Sequence, residues 1–200
     1  MCQAFFNDAS FYQKLFQLDQ AIANDAQAAG CPHCGDRLHG ANYPRKPRGV
    51  RSALDESYHY RLSFCCARDG CRRRTTPPSV RFLGRKVYLG VIVIMVTALQ
   101  DGLTERRRRQ LIEQLDLWPQ TIARWRRWWH AQVPMTRCWQ ALRGRFIPPI
   151  DARLLPDVLL GRLTGSDLAV RVRQLLGLIA PLSSAVGSGC LPVAAGPQTM

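Results

Sequence analysis

At 200 residues, the chain is long enough for one ordinary domain or two small ones, and 46% of its residues are hydrophobic, which is enough for a core. Its net charge of +14 comes almost entirely from arginine, since only three of the 28 basic residues are lysines. A guanidinium binds phosphate through two parallel hydrogen bonds, so this charge favours nucleic acid, although anionic lipid and acidic proteins are also compatible with it. The longest apolar stretch, Val87 to Leu99, is shorter than the about 20 residues that span a bilayer, so we expect no membrane segment.

The first predicted element is an amphipathic helix over residues 9–29. Its apolar side chains recur at spacings of three and four, which places them on one face. They are Phe11, Leu15, Leu18, Ile22 and Ala26. Gly30 ends the helix and a cysteine pair follows at once, so we expect the helix to brace a metal module. Residues 1–30 lack a basic start followed by an apolar run, so we expect no secretory signal and a cytoplasmic protein.

Residues 40–57 contain proline, glycine and basic residues without periodicity, which predicts an exposed loop. The segment from Tyr58 to Cys66 alternates, which predicts one continuous strand. Its two sides are Tyr58, Tyr60, Leu62 and Phe64 on one, and His59, Arg61 and Ser63 on the other. The prolines at 77 and 78 end this part of the chain.

Helices are predicted for most of the remaining chain. The first three cover about 85–100, Thr104 to Leu115 with Thr104 as N-cap, and Pro119 to about Val133. Weaker patterns predict short helices around 137–143, 151–160 and 166–179.

Two cysteine pairs have the spacing of zinc-binding knuckles. In the first, CPHCG at 31–35, the proline rigidifies the turn between Cys31 and Cys34, and the glycine permits a positive φ. The second, CARDGC, runs from Cys66 to Cys71. In a reducing cytoplasm such clusters usually bind metal, and four thiolates complete a tetrahedral site. The pattern therefore predicts a structural zinc ion held by these four cysteines.

Alternatives stay open at this site. Cys65 competes with Cys66, although strand alternation and the usual spacer length favour Cys66. The backup ligands are His33, His39 and His59. A cluster of reduced core cysteines without metal is the other interpretation. The isolated cysteines, which we do not expect to bind metal, are Cys2, Cys138 and Cys190.

Residues 108–127 fit a helix-turn-helix template in which Leu117 fills the turn. The predicted inner faces are Leu111, Ile112 and Leu115 on the first helix, and Ile122, Trp125 and Trp129 on the second. Two positions depart from the template, since Ile112 stands where a small residue is usual and Asp116 where glycine is usual. The predicted contacts with base edges and phosphates in a major groove are Gln120, Thr121, Arg124 and Arg127.

Two arginine runs complete the predicted DNA-binding set. They are Arg72, Arg73 and Arg74 after the second cysteine pair, and Arg106, Arg107, Arg108 and Arg109 in the helix predicted from Thr104 to Leu115. Four adjacent like charges destabilise a free helix, which favours phosphate contact over a merely solvated face. Trp128 lies off the inner face and is a candidate for stacking on a base or on a partner protein.

These motifs resemble a known family. A cysteine-rich ribbon (CPHCG … FCCARDGCRRRTTPPS) followed by LIEQLDLWPQTIARWRRWW resembles the DNA-binding front part of bacterial insertion-sequence transposases, and the small zinc proteins carried by such elements. The phrase RTTPPSVRFLGRKV is similar to their passage from ribbon to helix. The resemblance covers about residues 31–130, and the 31-residue gap between the knuckles is longer than a compact ribbon needs.

The resemblance does not extend to catalysis. Transposases of that type cut DNA with three acidic residues that bind two magnesium ions. Beyond residue 116 this chain has only Asp151, Asp157 and Asp167, crowded into 17 residues with no strand-rich region. No nucleophile–base pair, phosphate loop or open metal site is visible either, so we expect no enzymatic activity.

We therefore predict an α+β, mostly helical fold, with a small four-cysteine zinc ribbon, an N-terminal bracing helix and a helix-turn-helix-type domain. The predicted boundaries are 1–80, 81–135 and 136–182, with 183–200 disordered. The expected function is zinc-dependent, non-catalytic binding of double-stranded DNA, as an accessory or regulatory factor of a mobile element, with a transposase as a second candidate partner. The alternatives are a protein-interaction module that docks on a polymerase or transposase, and an RNA-binding protein that uses the loop Tyr43–Arg51.

Overall fold

The computed structural model describes residues 8–45, 47, 54, 56–83, 88–98, 104–165 and 167–184, and within these ranges the side chains of Arg107, Arg108 and Leu111 are left out. The fold is α+β and mostly helical, as predicted. The helices are α1 (Ala9–Ala28), α2 (Gly90–Ala98), α3 (Glu105–Gln114), α4 (Pro119–Arg127), α5 (Arg137–Arg143), α6 (Asp157–Arg162) and α7 (Leu168–Ile179). The strands are β1 (Leu38–Gly40), β2 (Tyr43–Pro44), β3 (Tyr60–Arg61), β4 (Phe64–Cys66) and β5 (Arg74–Thr75). In the described part of the chain, no helix combines the length and apolar character needed to cross a membrane.

Helix α1 confirms the first predicted element. Asp8 caps it by accepting hydrogen bonds from the backbone N–H groups of Ser10 and Phe11, at 2.9 and 3.3 Å. Its buried face differs from the prediction, because Leu18 is 39% exposed whereas Asp19 is 1% exposed. A carboxylate lies on the inner face of this helix because its partner is a buried arginine.

The strand predicted from Tyr58 to Cys66 is wrong as one continuous element. Residues Glu56–His59 form a 3-10 turn, and the rest divides between two antiparallel sheets. Strand β4 is central in the sheet β1-β4-β5, whereas β3 pairs with β2. Strand β2 itself falls in the segment predicted as a loop, and most of residues 46–55 lie outside the described chain.

The prediction of which side chains share a face is also wrong, because the segment divides between two sheets. Tyr60 is 46% exposed, whereas Arg61 and Ser63 are buried. Both buried polar side chains have hydrogen-bond partners: Arg61 Nη2 donates to the carbonyl of Pro77 at 2.5 Å, and Ser63 Oγ lies 3.4 Å from the carbonyl of Thr75. Because the strand is interrupted between β3 and β4, the faces predicted for this segment are reversed. The hydrogen bonds to distant parts of the chain then make burial of Arg61 and Ser63 favourable.

The three predicted helices after the prolines are present as α2, α3 and α4, within the described ranges. Every residue of α2 is buried, which fits a central helix that is apolar on all sides. In α4, Ile122 and Trp125 point inward as predicted, and Trp129 does so in the π-helical turn Trp128–Gln132 that continues this helix. The weaker helices of the tail also appear, as α5, α6 and α7, whereas the predicted disorder of 183–200 falls almost entirely outside the described residues.

Among the described residues, two apolar clusters form the interior. The larger one contains Phe11, Tyr12 and Leu15 of α1 together with residues of α2, α4 and α7. The smaller one surrounds the cysteines and consists of Ala23, Cys31, Leu38, Phe64 and Cys66. Helix α1 therefore contributes to both, with its first half in the large cluster and Ala23 in the small one. The predicted domain boundaries stay a prediction.

A buried ion pair joins α1 to the segment that follows β5. Arg81 Nε donates to Asp19 Oδ2 at 2.7 Å, and both side chains are inaccessible to solvent. The hydroxyl of Ser79 and the backbone N–H of Val80 donate to the same carboxylate, each at 2.6 Å. The guanidinium also donates to the carbonyl of Ser57 at 3.1 Å. The pair thus connects α1 to two separate loop segments.

Removal of one charge from this pair tests its contribution. Asp19→Asn leaves the guanidinium of Arg81 buried without a counter-charge, so we expect the free energy of unfolding to fall by about 3–5 kcal/mol. The matched control is Asp25→Asn in the same helix, where the carboxylate is exposed and a change within about 0.5 kcal/mol is expected. Urea denaturation measures both, and equal effects of the two substitutions would contradict a structural role for the pair.

Candidate metal centre and basic surfaces

Four cysteine sulfurs converge at one point beside α1. The Sγ atoms of Cys31, Cys34, Cys66 and Cys71 all lie within 4.8 Å of one another. The Cys31–Cys71 and Cys34–Cys66 pairs are 3.8 and 3.4 Å apart. Sulfurs bound tetrahedrally at about 2.3 Å from a metal are separated by about 3.8 Å, so the cluster has the dimensions of a four-thiolate site. The predicted ligand set is the set that the structure brings together.

The first knuckle depends on two glycines. The backbone N–H of Gly35 donates to the carbonyl of Cys31, and the N–H of Cys31 donates to the carbonyl of Asp36, both at 2.8 Å. Gly30 and Gly35 have φ values of 78° and 76°, which side chains rarely adopt. A Cβ on Gly30 would also lie only 2.8 Å from the carbonyl oxygen of Gly35. The end of α1 can therefore pass directly into the turn that carries Cys31 and Cys34.

The second knuckle follows β4. The N–H of Cys71 donates to the carbonyl of Arg68 at 3.1 Å, and the N–H of Cys66 donates to the carbonyl of Arg73 at 3.0 Å. Gly70 has a φ of 84°, which closes the loop between the two cysteines. The loop therefore returns Cys71 to the side of β4 on which Cys66 lies.

Strand geometry resolves the choice between Cys65 and Cys66. In β4, Cys66 pairs with Leu38 and its side chain is buried in the small cluster. Cys65 pairs with His39 and Arg74, and its Sγ donates to the carbonyl of Arg72 at 3.3 Å. Because adjacent side chains in a strand point to opposite faces, only Cys66 reaches the cluster. The three backup histidines are not part of it either.

The pKa values of two of the cysteine thiols are shifted in opposite directions by their surroundings. Desolvation raises the pKa of Cys66, which is 1% exposed, whereas the backbone N–H of His33 lowers the pKa of Cys31. A metal ion binds thiolates, so it must displace protons from these groups. Metal binding at this site is therefore expected to weaken as the pH falls.

The arginines after the last cysteine have unequal surroundings, although all three are exposed. Arg72 Nη2 forms an ion pair with Asp69 at 2.5 Å, and Arg73 Nη1 donates to His33 Nδ1 at 3.1 Å. Arg74 Nη1 donates to the carbonyl of Ala41 at 2.6 Å and to Ser63 Oγ at 3.0 Å, and its guanidinium lies over the ring of Tyr43. These contacts of Arg74 use Nη1, and its Nε and Nη2 make no hydrogen bond within the described residues.

A second basic surface lies on α4. Gln120, Arg124 and Arg127 are exposed, as predicted. The predicted outward position of Thr121 is wrong, because this side chain is 6% exposed and lies on the same side as Trp125, four residues further on. Its hydroxyl accepts a hydrogen bond from Arg124 Nη2 at 3.1 Å. Thr121 therefore positions Arg124 and does not itself form part of the surface.

The run in α3 is described only in part. Arg106 and Arg109 are exposed, and Arg109 Nε donates to Glu105 Oε1 at 3.0 Å, one helical turn away. The side chains of Arg107 and Arg108 lie outside the described set. Glu105 partly offsets the repulsion among the arginines, which reduces the need for an external counter-charge.

Sequence patterns missed the residues that position Arg74. Ser63 is a buried serine 11 residues away along the chain, and Tyr43 stands in a segment predicted as a loop. No local signal identifies such partners, because only the folding of the chain into two small sheets brings them close to Arg74.

No protein family, no characterised protein and no solved structure matches this chain in comparisons of sequence and fold. The function must therefore be inferred from the cysteine cluster and the basic surfaces.

Metal binding can be tested one cysteine at a time. Cys34→Ser removes a ligand, so we expect it to abolish the binding of one metal ion per chain and to destabilise residues 31–76. Cys65→Ser is the matched control, since Cys65 lies on the opposite face of β4, and it should retain the metal. Elemental analysis of purified protein measures both, and metal-free wild-type protein that keeps its full stability under chelator would contradict the site.

Proposed function

We propose that this protein binds double-stranded DNA without catalysis and that a zinc ion stabilises the module formed by β1, β4, β5 and the two knuckles. The observation that carries the proposal is the outward face of α4, where Gln120, Arg124 and Arg127 are exposed on a helix held by buried tryptophans. The experiment that tests it is a measurement of affinity for duplex DNA as a function of salt concentration.

Zinc is the metal that the donor set favours. Four thiolates in a tetrahedral arrangement are typical of zinc and of iron bound by sulfur, and zinc needs no redox partner. Because all four positions are occupied by protein, the site leaves no place for a substrate or an activated water. Its role is then structural, and an iron site would be distinguished by its colour.

Duplex DNA fits the chemistry of α4. The helix contains three arginines and no acidic residue. A helix of this diameter enters the major groove, where arginine and glutamine side chains reach base edges and phosphates. Arg124 is held by Thr121, so less side-chain freedom is lost when it binds. Arg127 lies one turn further along the same face and is suited to a phosphate.

The metal module supplies a second contact. The Nε–Nη2 edge of Arg74, which makes no hydrogen bond within the described residues, carries two parallel N–H donors that match two oxygens of a phosphate. Arg72 is less suited, because Asp69 already neutralises it. Simultaneous contact through α4 and this module would explain the excess of positive charge on both.

The cellular setting is proposed from the resemblance alone. A cysteine-rich ribbon followed by a basic helical region in residues 31–130 resembles the DNA-binding part of insertion-sequence transposases. We therefore propose a role as an accessory or regulatory factor of a mobile element, associated with the nucleoid.

A second candidate function is docking on another protein. Met135, Ile147 and Leu154 are 82, 90 and 54% exposed, and burial of these apolar side chains against another protein would stabilise a complex. A polymerase or transposase would be the partner in that case, and the basic surfaces would be secondary.

Arg124→Ala tests the DNA surface on α4. We expect a loss of about 1–3 kcal/mol in binding to the preferred duplex and a smaller loss on an unrelated duplex, because a base contact disappears as well as a charge. Circular dichroism should show an intact fold, since the side chain is exposed. Equal losses on both duplexes would indicate that Arg124 contacts only phosphate. No loss on either duplex would contradict the placement of α4 in the interface.

Arg74→Lys tests the metal module separately. The substitution keeps the charge and removes the paired donors, so we expect binding to duplex DNA to weaken by about 1–2 kcal/mol. Arg72→Lys is the control, because this exposed arginine is already paired with Asp69 and a change within about 0.5 kcal/mol is expected. Fluorescence anisotropy on one labelled duplex measures both variants, and identical affinities for the two would contradict the assignment.

A further inference from the structure

The most exposed tryptophan with a described side chain stands immediately before α4. Trp118 is 68% exposed, whereas Trp125 and Trp129 are 3 and 0% exposed. An indole is the largest apolar side chain, so an exposed tryptophan leaves more apolar surface in water than any other residue would. A tryptophan in such a position is suited to contact a partner.

The backbone beneath this side chain is well defined. Leu117 is buried, and its N–H donates to the carbonyl of Ile112 at 2.9 Å. Trp118 is extended, with φ −93° and ψ 139°, and the following Pro119 restricts it to that region. Its carbonyl accepts the first hydrogen bond of α4, from the N–H of Thr121 at 2.8 Å. The indole therefore projects from a fixed point and not from the tip of a loose loop.

The charge of the helix that follows Trp118 indicates which partner fits. Gln120, Arg124 and Arg127 form the outward face of the helix that Trp118 precedes, and α4 has no acidic residue. A protein partner for this face would need a matching acidic surface around an apolar pocket. Duplex DNA offers phosphates for the arginines and base edges for the glutamine, and it also offers one apolar group.

That apolar group is the C5-methyl of thymine, which projects into the major groove. We propose that Trp118 packs against a thymine methyl when the outward face of α4 lies in the groove. Trp118 then selects for thymine by contact with a methyl group, while Gln120 and Arg124 contact neighbouring base edges. This inference rests on the proposed DNA binding and adds a specificity that the charged residues do not supply.

Uracil provides the probe, because deoxyuridine pairs as thymidine does and lacks only the methyl group. The preferred duplex is selected from a random pool and prepared in two forms, one with thymine and one with deoxyuridine at every such position. Wild-type protein should bind the thymine form about fourfold more tightly for each methyl group buried, the ratio expected for one methyl group. Trp118→Ala should bind both forms with one affinity, close to that of wild type for the deoxyuridine form.

Ile147→Ala is the matched control, because Ile147 is 90% exposed and lies outside α4. It should keep the wild-type ratio between the two duplexes. Both substituted side chains are exposed, so neither variant is expected to unfold, and thermal denaturation checks this. Any effect of the missing methyl groups on DNA shape acts on every variant alike and cancels in the comparison.

Two results would overturn the inference. One is an equal preference for thymine in wild type and Trp118→Ala. The other is a wild-type protein that binds the two duplexes equally. Failure of the proposed function is distinguishable, because wild-type protein would then show no salt-dependent affinity for any duplex.

Discussion

The carboxylate of Asp19 and the guanidinium of Arg81 form an ion pair without access to solvent. Such a pair is stable only if the remaining donors and acceptors are also satisfied. Here Ser79 and Val80 donate to the carboxylate, while the guanidinium donates to backbone carbonyls and lies over the ring of Phe16, 4.8 Å from its centroid. These contacts fix α1, the turn before β3 and the entry to α2 relative to one another. The positions of the cysteine cluster and of the helical core both depend on that arrangement.

Helix α1 links this ion pair to the cysteine cluster. Its first half packs in the large core, Asp19 forms the ion pair, and Ala23 contacts the small cluster around Cys31 and Cys66. The helix ends at Ala28, and Gly30 leads into the first knuckle. A metal ion held by these cysteines would therefore be coupled through α1 to the packing of the helical region, and its loss should loosen the module without removing the large core.

The basic surfaces share a second physical feature, which is support of their arginines by hydrogen bonds within the chain. Arg74 is held by Ala41 and Ser63, and Arg124 is held by Thr121. A guanidinium already fixed in position loses less conformational freedom when it binds phosphate or a base. The proposed contact of Trp118 follows the same logic, since Pro119 and the first hydrogen bond of α4 restrict its backbone.

Features that depend on local spacing could be predicted from the sequence alone. The four clustered cysteines follow from their knuckle spacing, and the inward side chains of α4 follow from helical periodicity. The preference for Cys66 over Cys65 followed from strand alternation, which holds within β4. The burial of Asp19, Arg61, Ser63 and Thr121 could not be predicted, because periodicity assigns polar residues to solvent. Arg81 lies 62 residues from Asp19 along the chain, and Arg74 lies 11 from Ser63. Only the tertiary structure brings such partners together, and a polar group becomes stable in the interior only where its partner is within hydrogen-bonding distance.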